Sequence, residues 1–370
     1  MAGQSPEVLL CCRACLRRSA PQTRSFTTSS SQQKHGPLPF IPTSSPTLDT
    51  ILQTWRSNVF LPSHLLRPQQ LLVYKKNNHA LLTGEEPVTV DVGPEIHTLV
   101  PLDHRTSEPN TKKSFHEILA LLHTPADWKN MVPFLEELRT ARRKVTPAMV
   151  QKLVRKANER GRQGAVMEIL QSVGRTGVVL RGAELVREVM GGAVMRAQAA
   201  GWGDGEGVGR ALRYAEGVVD LCEDPRHTEG RMIWGDDPRA RPEVVGTVML
   251  LAGVKVKRFQ GGKDEDGKVR RYAERMMALW RYAGLDLEGK DWNAANQILF
   301  TWSPVWHGMR IALEYLEEGS DLAKEVKGAM TRDLEPVLER AKDLVVVNAP
   351  DGRRPRGLEM YESLAAELGS

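Results

Sequence analysis

The sequence has few cysteines, no long apolar run and no nucleophile signature, and each shortage excludes something. Of four cysteines in 370 residues, Cys11, Cys12 and Cys15 lie in an N-terminal segment argued below to be removed, leaving Cys222. One thiol cannot form an intramolecular disulfide or a cysteine metal cage. It continues the helical spacing of Val208, Ala211, Leu212, Ala215, Val218 and Val219, which makes it a buried structural thiol. The longest strongly apolar stretch, Val244 to Val256, already contains Lys255 and falls short of the roughly 20 apolar residues of a membrane-spanning helix. The nine histidines are dispersed, without His-Glu-x-x-His, and no Gly-x-Ser-x-Gly occurs. No catalytic residues, cofactor, metal or small-molecule substrate are expected.

Strings that resemble nucleotide or ion sites fail on inspection. Gly284-Leu-Asp-Leu-Glu-Gly289-Lys290-Asp291 follows a phosphate-loop spacing until its last position, where Asp291 stands in place of the hydroxyl that holds magnesium. The glycine run Gly201, Gly203, Gly205, Gly207 and Gly209 follows a helical pattern rather than a strand, and is read as an inter-helix loop. Asp264-Glu-Asp266-Gly267 lacks the later acidic ligand of a calcium loop and is expected to cap the next helix.

What is present begins with an address. The first 33 residues hold Arg13, Arg17, Arg18 and Arg24 against Glu7 and run into the hydroxyl-rich stretch Phe26 to Ser31, the composition of a transit peptide. Arg24-Ser25-Phe26-Thr-Thr-Ser29 resembles the two-step processing signal of mitochondrial matrix proteins, which implies a mature start at Lys34. Taking four Arg and one Glu from 51 basic and 46 acidic residues leaves 47 against 45. The basic character of the whole chain therefore belongs partly to the address and cannot itself argue for nucleic acid.

Residues 34–48, rich in Pro, Ser and Gly, read as a flexible leader. Within 49–110, Leu71 to Tyr74, His79 to Leu82 and the alternating Val88, Val90 and Val92 read as strands of a small N-terminal α/β element. From 111 to 347 the apolar period is helical. Ser114-Phe-His-Glu117 has capping-box spacing and Thr124-Pro125-Ala-Asp127 marks a second helix start. Stripes follow at Met149, Val150, Leu153, Val154 and Ala157, through Leu185 to Met190, through Val269 to Ala283, and from Leu322 to Leu344. A linker and short helix occupy 348–370. The predicted fold is mainly α, an irregular α-solenoid or helical bundle of antiparallel helix pairs.

Val145 to Leu180, with its turn at Gly161-Arg162, Ala165 and the closing Thr176-Gly177, resembles a pentatricopeptide repeat; Gly267 to Gly284 is similar to the second half of another. The family's base-reading positions do not carry over, because the register is off by a residue.

One constellation exceeds background. Arg139, Arg142, Arg143, Lys144, Lys152, Arg155, Lys156, Arg160 and Arg162 stand against the single acid Glu159, a local charge of +8. Lys152, Lys156 and Arg160 recur every four residues opposite the apolar stripe, so one face packs and the other offers a basic stripe for phosphates. The bland alternative is a solvated face, or one paired with acids such as Glu314 to Glu318. On the first reading the protein is non-catalytic, resides in the mitochondrial matrix and binds mitochondrial RNA or the mitochondrial ribosome, with protein partners also expected. The rival is a respiratory-complex assembly factor that holds a client on Trp292, Trp302 and Trp306; an unrecognised matrix enzyme stands third. Changing Lys152, Arg155, Lys156 and Arg160 to Gln is expected to leave the fold intact. N-terminal sequencing of the organellar protein should find Lys34 or a residue close to it, whereas an intact Met1 would overturn both the cleavage and the corrected charge.

Overall fold

The computed structural model describes residues 36–84, 87–228, 233, 237–350, 352 and 354–369. The expected transit peptide, its processing signal and the expected mature start at Lys34 lie outside them. An extended strap, 36–45, leads into α1 (Pro46–Trp55), which continues through a π-turn (Arg56–Phe60) into Leu61–His64. Next come α2 (Arg67–Tyr74), the one-turn α3 (His79–Leu82) and an antiparallel hairpin, β1 (Thr89–Val92) and β2 (Glu95–Thr98), in register Thr89 opposite Thr98. Helices follow throughout: α4 (Thr111–Leu121), α5 (Pro125–Lys129), α6 (Met131–Thr140), α7 (Pro147–Glu159), α8 (Gln163–Gln171), α9 (Ala183–Ala199) and α10 (Gly205–Glu223). The C-terminal half holds α11 (Pro242–Phe259), α12 (Lys268–Leu279), α13 (Trp292–Ala312), α14 (Asp321–Gly328), α15 (Glu335–Asn348) and α16 (Arg356–Leu368).

The apolar stretch from Val244 is the centre of the molecule. Every residue of α11 from Pro242 to Val254 is buried, as a helix apolar on all sides must be, and α10, α12 and α13 pack around it. At Gly308 of α13 the two backbones come so near that an added Cβ would stand 3.0 Å from the Leu250 backbone nitrogen. One core cluster runs from Leu48 to Leu368; a small second one, including Val73, Val92 and Leu99, lies under the hairpin. Cys222 is buried in the main cluster, and burial, reinforced by Glu223 and Asp237, pushes its thiol up to about 12.

Several expectations are corrected. Leu71 to Tyr74 and His79 to Leu82 are helical: α2 starts four residues earlier, with Pro68 in its first turn and the Gln69 side chain accepting the Leu66 N–H at 2.9 Å. Helix α4 is capped by Asn110, which accepts from Lys113 N–H, and Ser114 is buried inside it. Gly205, Gly207 and Gly209 belong to α10. Of the three tryptophans singled out, Trp302 is buried, with Trp280 edge-on at 5.7 Å, and Trp292 and Trp306 are half-buried.

The leader is fixed rather than flexible where it is described. Leu38 N–H donates to Glu137 (2.9 Å), Ile41 pairs both ways with the Asn130 amide (2.8 and 2.9 Å), and Ser44 N–H and Oγ both donate to Asp127 (2.8 Å). Phe40 completes the ring cluster of Phe60 and Phe134 at 6.3 and 6.4 Å. The three polar anchors are all but inaccessible, so an unfilled strap groove would strip each of buried hydrogen bonds that water could not readily replace. Burial alone would raise the Asp127 carboxyl, but donors from Ser44, Thr124 and His123 outweigh it and hold the group far below the usual carboxylate range.

Asp127→Ala should therefore destabilise the protein by about 3 kcal/mol or more in urea unfolding, because several buried donors lose their acceptor. A depressed carboxyl contributes stability that is present above its unfolded value, near 4, and lost as pH falls below it. The parent should thus lose stability below about pH 4 more steeply than the variant. Equal acid limbs and a cost under about 1 kcal/mol would contradict the anchor.

Candidate nucleic-acid interface

The basic segment is built around α7. Thr146 caps the helix by accepting Met149 N–H at 3.3 Å, and Pro147 occupies its first turn, where no N–H is needed. Met149, Val150, Leu153, Val154 and Ala157 are all buried, largely against α9, as the stripe implied. The turn of Gly161, in the left-handed region at φ 66°, then leads into α8.

The nine basic residues do not act as one face. Arg142, held at a left-handed φ of 55° that non-glycine residues seldom adopt, is exposed, as are Lys144 and Lys152. These three have no side-chain partner among the described residues. Five of the others are committed to the protein. Arg139 donates to the Gly174 carbonyl and Arg143 pairs with Glu108. Lys156 meets Glu159 at 2.6 Å, and Arg155 lies 3.7 Å from the buried Glu188 carboxylate. Arg160 closes the C-terminal end of α4, donating to the carbonyls of Ala120 (3.1 Å) and Leu122 and meeting the His123 ring at 2.8 Å. Cations suit that end of a helix, where carbonyls are left without intrahelical donors. Arg162 is half-buried, its Nε without an acceptor. The proposed four-to-Gln change would thus disturb structure at Arg155 and Arg160.

One contributor was missed. His116 of α4 is driven toward its neutral form by burial and then by Lys152 and Lys112, which places an exposed lysine of α4 beside the open end of α7. The adjacent Lys112 and Lys113 were visible as a charged pair, but only the packing of α4 on α7 sets Lys112 and Lys152 about one His116 ring, while Lys113 pairs with Glu117 at 3.9 Å.

The rejected strings behave as structural devices. Asp291 caps α13 by accepting Ala294 N–H at 2.9 Å, and Asp266 and Asp264 accept from Lys268 and Arg270 at the start of α12. Among the described residues no cluster of His, Cys, Asp and Glu suits a metal, and no helix is long and apolar enough to cross a membrane.

Residues 24–363 match the family model described as mitochondrial ribosomal protein mS27. The chain is also 26% identical over 305 residues to the small ribosomal subunit protein mS27 of Neurospora crassa, an alignment that covers 76% of each chain.

The division of the basic residues is testable in the isolated protein. Arg160→Gln should cost about 1–3 kcal/mol in urea unfolding, since the terminal carbonyls of α4 lose a charged donor, while Lys152→Gln should stay within about 0.5 kcal/mol. Indistinguishable costs would mean that Arg160 is as dispensable as an exposed lysine.

Proposed function

The chain belongs to the mitochondrial ribosomal protein mS27 family, and from that premise we propose that it is a non-catalytic component of the small subunit of the mitochondrial ribosome, works in the matrix, and docks on RNA there through the open end of its basic segment. The Neurospora relative carries the name of a small-subunit protein, and this supports the placement. The docking edge rests on one observation: Arg142, Lys144 and Lys152 are exposed without an intramolecular partner, whereas most cations around them are paired. Unpaired cations release counterions from a phosphate backbone without first breaking an internal contact. The α7–α8 pair with its Gly161 turn supports reading this region as a pentatricopeptide-like unit. The paired residues Arg139, Arg143, Arg155, Lys156 and Arg160 then position the edge rather than contact RNA.

A tagged chain should co-sediment with mitochondrial small subunits and be released by high salt. Migration with inner-membrane assembly intermediates would instead support the assembly-factor reading. The joint change of Arg142, Lys144 and Lys152 to Gln should leave the melting temperature within a degree or two, and flatten the slope of log affinity against log salt by about two units, at roughly 0.7 per lost contact to single-stranded RNA. An unchanged slope would reduce the edge to a solvated face.

A further inference from the structure

A second set of unpaired cations lies on a different side of α7. The end of α5, the turn between α7 and α8, and the C-terminal part of α9 enclose a cleft of about 590 Å³ bearing Lys129, Arg162 and Arg196. None of the three has an ion-pair or hydrogen-bonding partner among the described residues. Glu159 and Glu168 also line the cleft, but Glu159 is already neutralised by Lys156 at 2.6 Å. Trp128, 2% exposed, forms part of the wall, and its indole N–H has no acceptor. Helix α8 opens onto the same space with no side-chain cap, and its Gly164 has nothing within 4 Å of where a Cβ would stand. Ala165 N–H is taken by the Arg162 carbonyl at 3.0 Å, but the exposed backbone of Gly164 in the first turn is approachable, and a helix N-terminus favours an anion.

We propose that this cleft binds a phosphate group, which on the reading above is a phosphodiester of RNA, with Arg162 and Arg196 as its charged donors and Lys129 at the rim. The supporting physics is the cost of leaving a guanidinium half-buried and uncompensated. Burial, and then the neighbouring Arg210 and Arg213, already disfavour the charged form of Arg196, a penalty that an anion in the cleft would relieve. The sequence offered only Arg162 as a hint; Lys129 and Arg196 are brought to it by the packing of α5 and α9.

The test compares the full mature chain with a variant carrying Lys129→Gln, Arg162→Gln and Arg196→Gln, and uses two probes, inorganic pyrophosphate and a 12-nucleotide oligouridine. Pyrophosphate should raise the melting temperature of the parent and not of the variant, and the variant's salt slope for the oligonucleotide should be flatter by about two units. The unliganded variant should melt no lower than the parent, because mutually repelling charges have been removed; a clearly lower melting temperature would mark the cations as structural and overturn the site. Loss of the pyrophosphate response with an unchanged RNA slope would assign the cleft to a free phosphate compound and remove the RNA assignment. No change with either probe would overturn the proposal altogether, even if the Arg142, Lys144 and Lys152 variant still weakened RNA binding. The converse, in which only the cleft variant weakens RNA binding, would keep the cleft and discard the docking edge.

Discussion

The arrangement of the whole chain depends on one buried carboxylate. Glu188, 2% exposed in the middle of α9, receives the Arg356 guanidinium on both oxygens at 2.8 and 3.1 Å and the Asn158 amide at 3.2 Å, while that amide also donates to its backbone carbonyl at 2.7 Å. Arg155 stands 3.7 Å away. A buried charge is tolerated only when paired and hydrogen-bonded, and removing one partner of such a pair typically costs about 3–5 kcal/mol. This node ties α7, α9 and the start of α16 together across the sequence. Beside it, Gly357 N–H donates to Asn296 at 2.7 Å, and a side chain at Gly357 would collide with the Asn296 carbonyl. The C-terminal helix is thereby seated on the core instead of trailing from it.

The same node decides what the basic segment can do. By drawing Arg155 inward, and with Arg160 spent on the end of α4, the fold divides a run of nine cations into positioning contacts, an open remainder at Arg142, Lys144 and Lys152, and Arg162, unpaired in the cleft beside α8. Without the expected presequence the net charge would be nearly balanced, and among the described residues many guanidinium groups have carboxylate partners. Where cations are left without partners, electrostatic free energy is available for an external anion, and the edge at α7 and the cleft beside α8 are two such places.

Local patterns were legible in the sequence and distant ones were not. The stripes of α7, α9 and α12 were read correctly because a period of 3.6 is a property of neighbouring residues, and Thr124 with Asp127 was recognised for the same reason. Four-residue runs such as Leu71 to Tyr74 carry no period long enough to separate strand from helix. The strap was read as flexible from its prolines, yet it is held by Asp127, Asn130 and Glu137, more than 80 residues further on. The basic stripe failed as a continuous face for a like reason: its size could be counted in sequence, but the acceptors that occupy Arg143, Arg155 and Arg160 come from Glu108, Glu188 and the end of α4. A charge count reports how many cations there are, and only the fold reports how many are free.

On the proposed reading, this helical protein meets RNA through the cations its fold leaves unpaired. Ultraviolet crosslinking of intact mitochondrial small subunits, followed by mass spectrometry of nucleotide-bearing peptides, tests it most directly. The account predicts adducts on peptides spanning Arg142 to Lys152, with the face carrying the hairpin β1–β2 unmodified. Adducts confined to that hairpin, or subunits that contain the chain crosslinked only to other proteins, would contradict it.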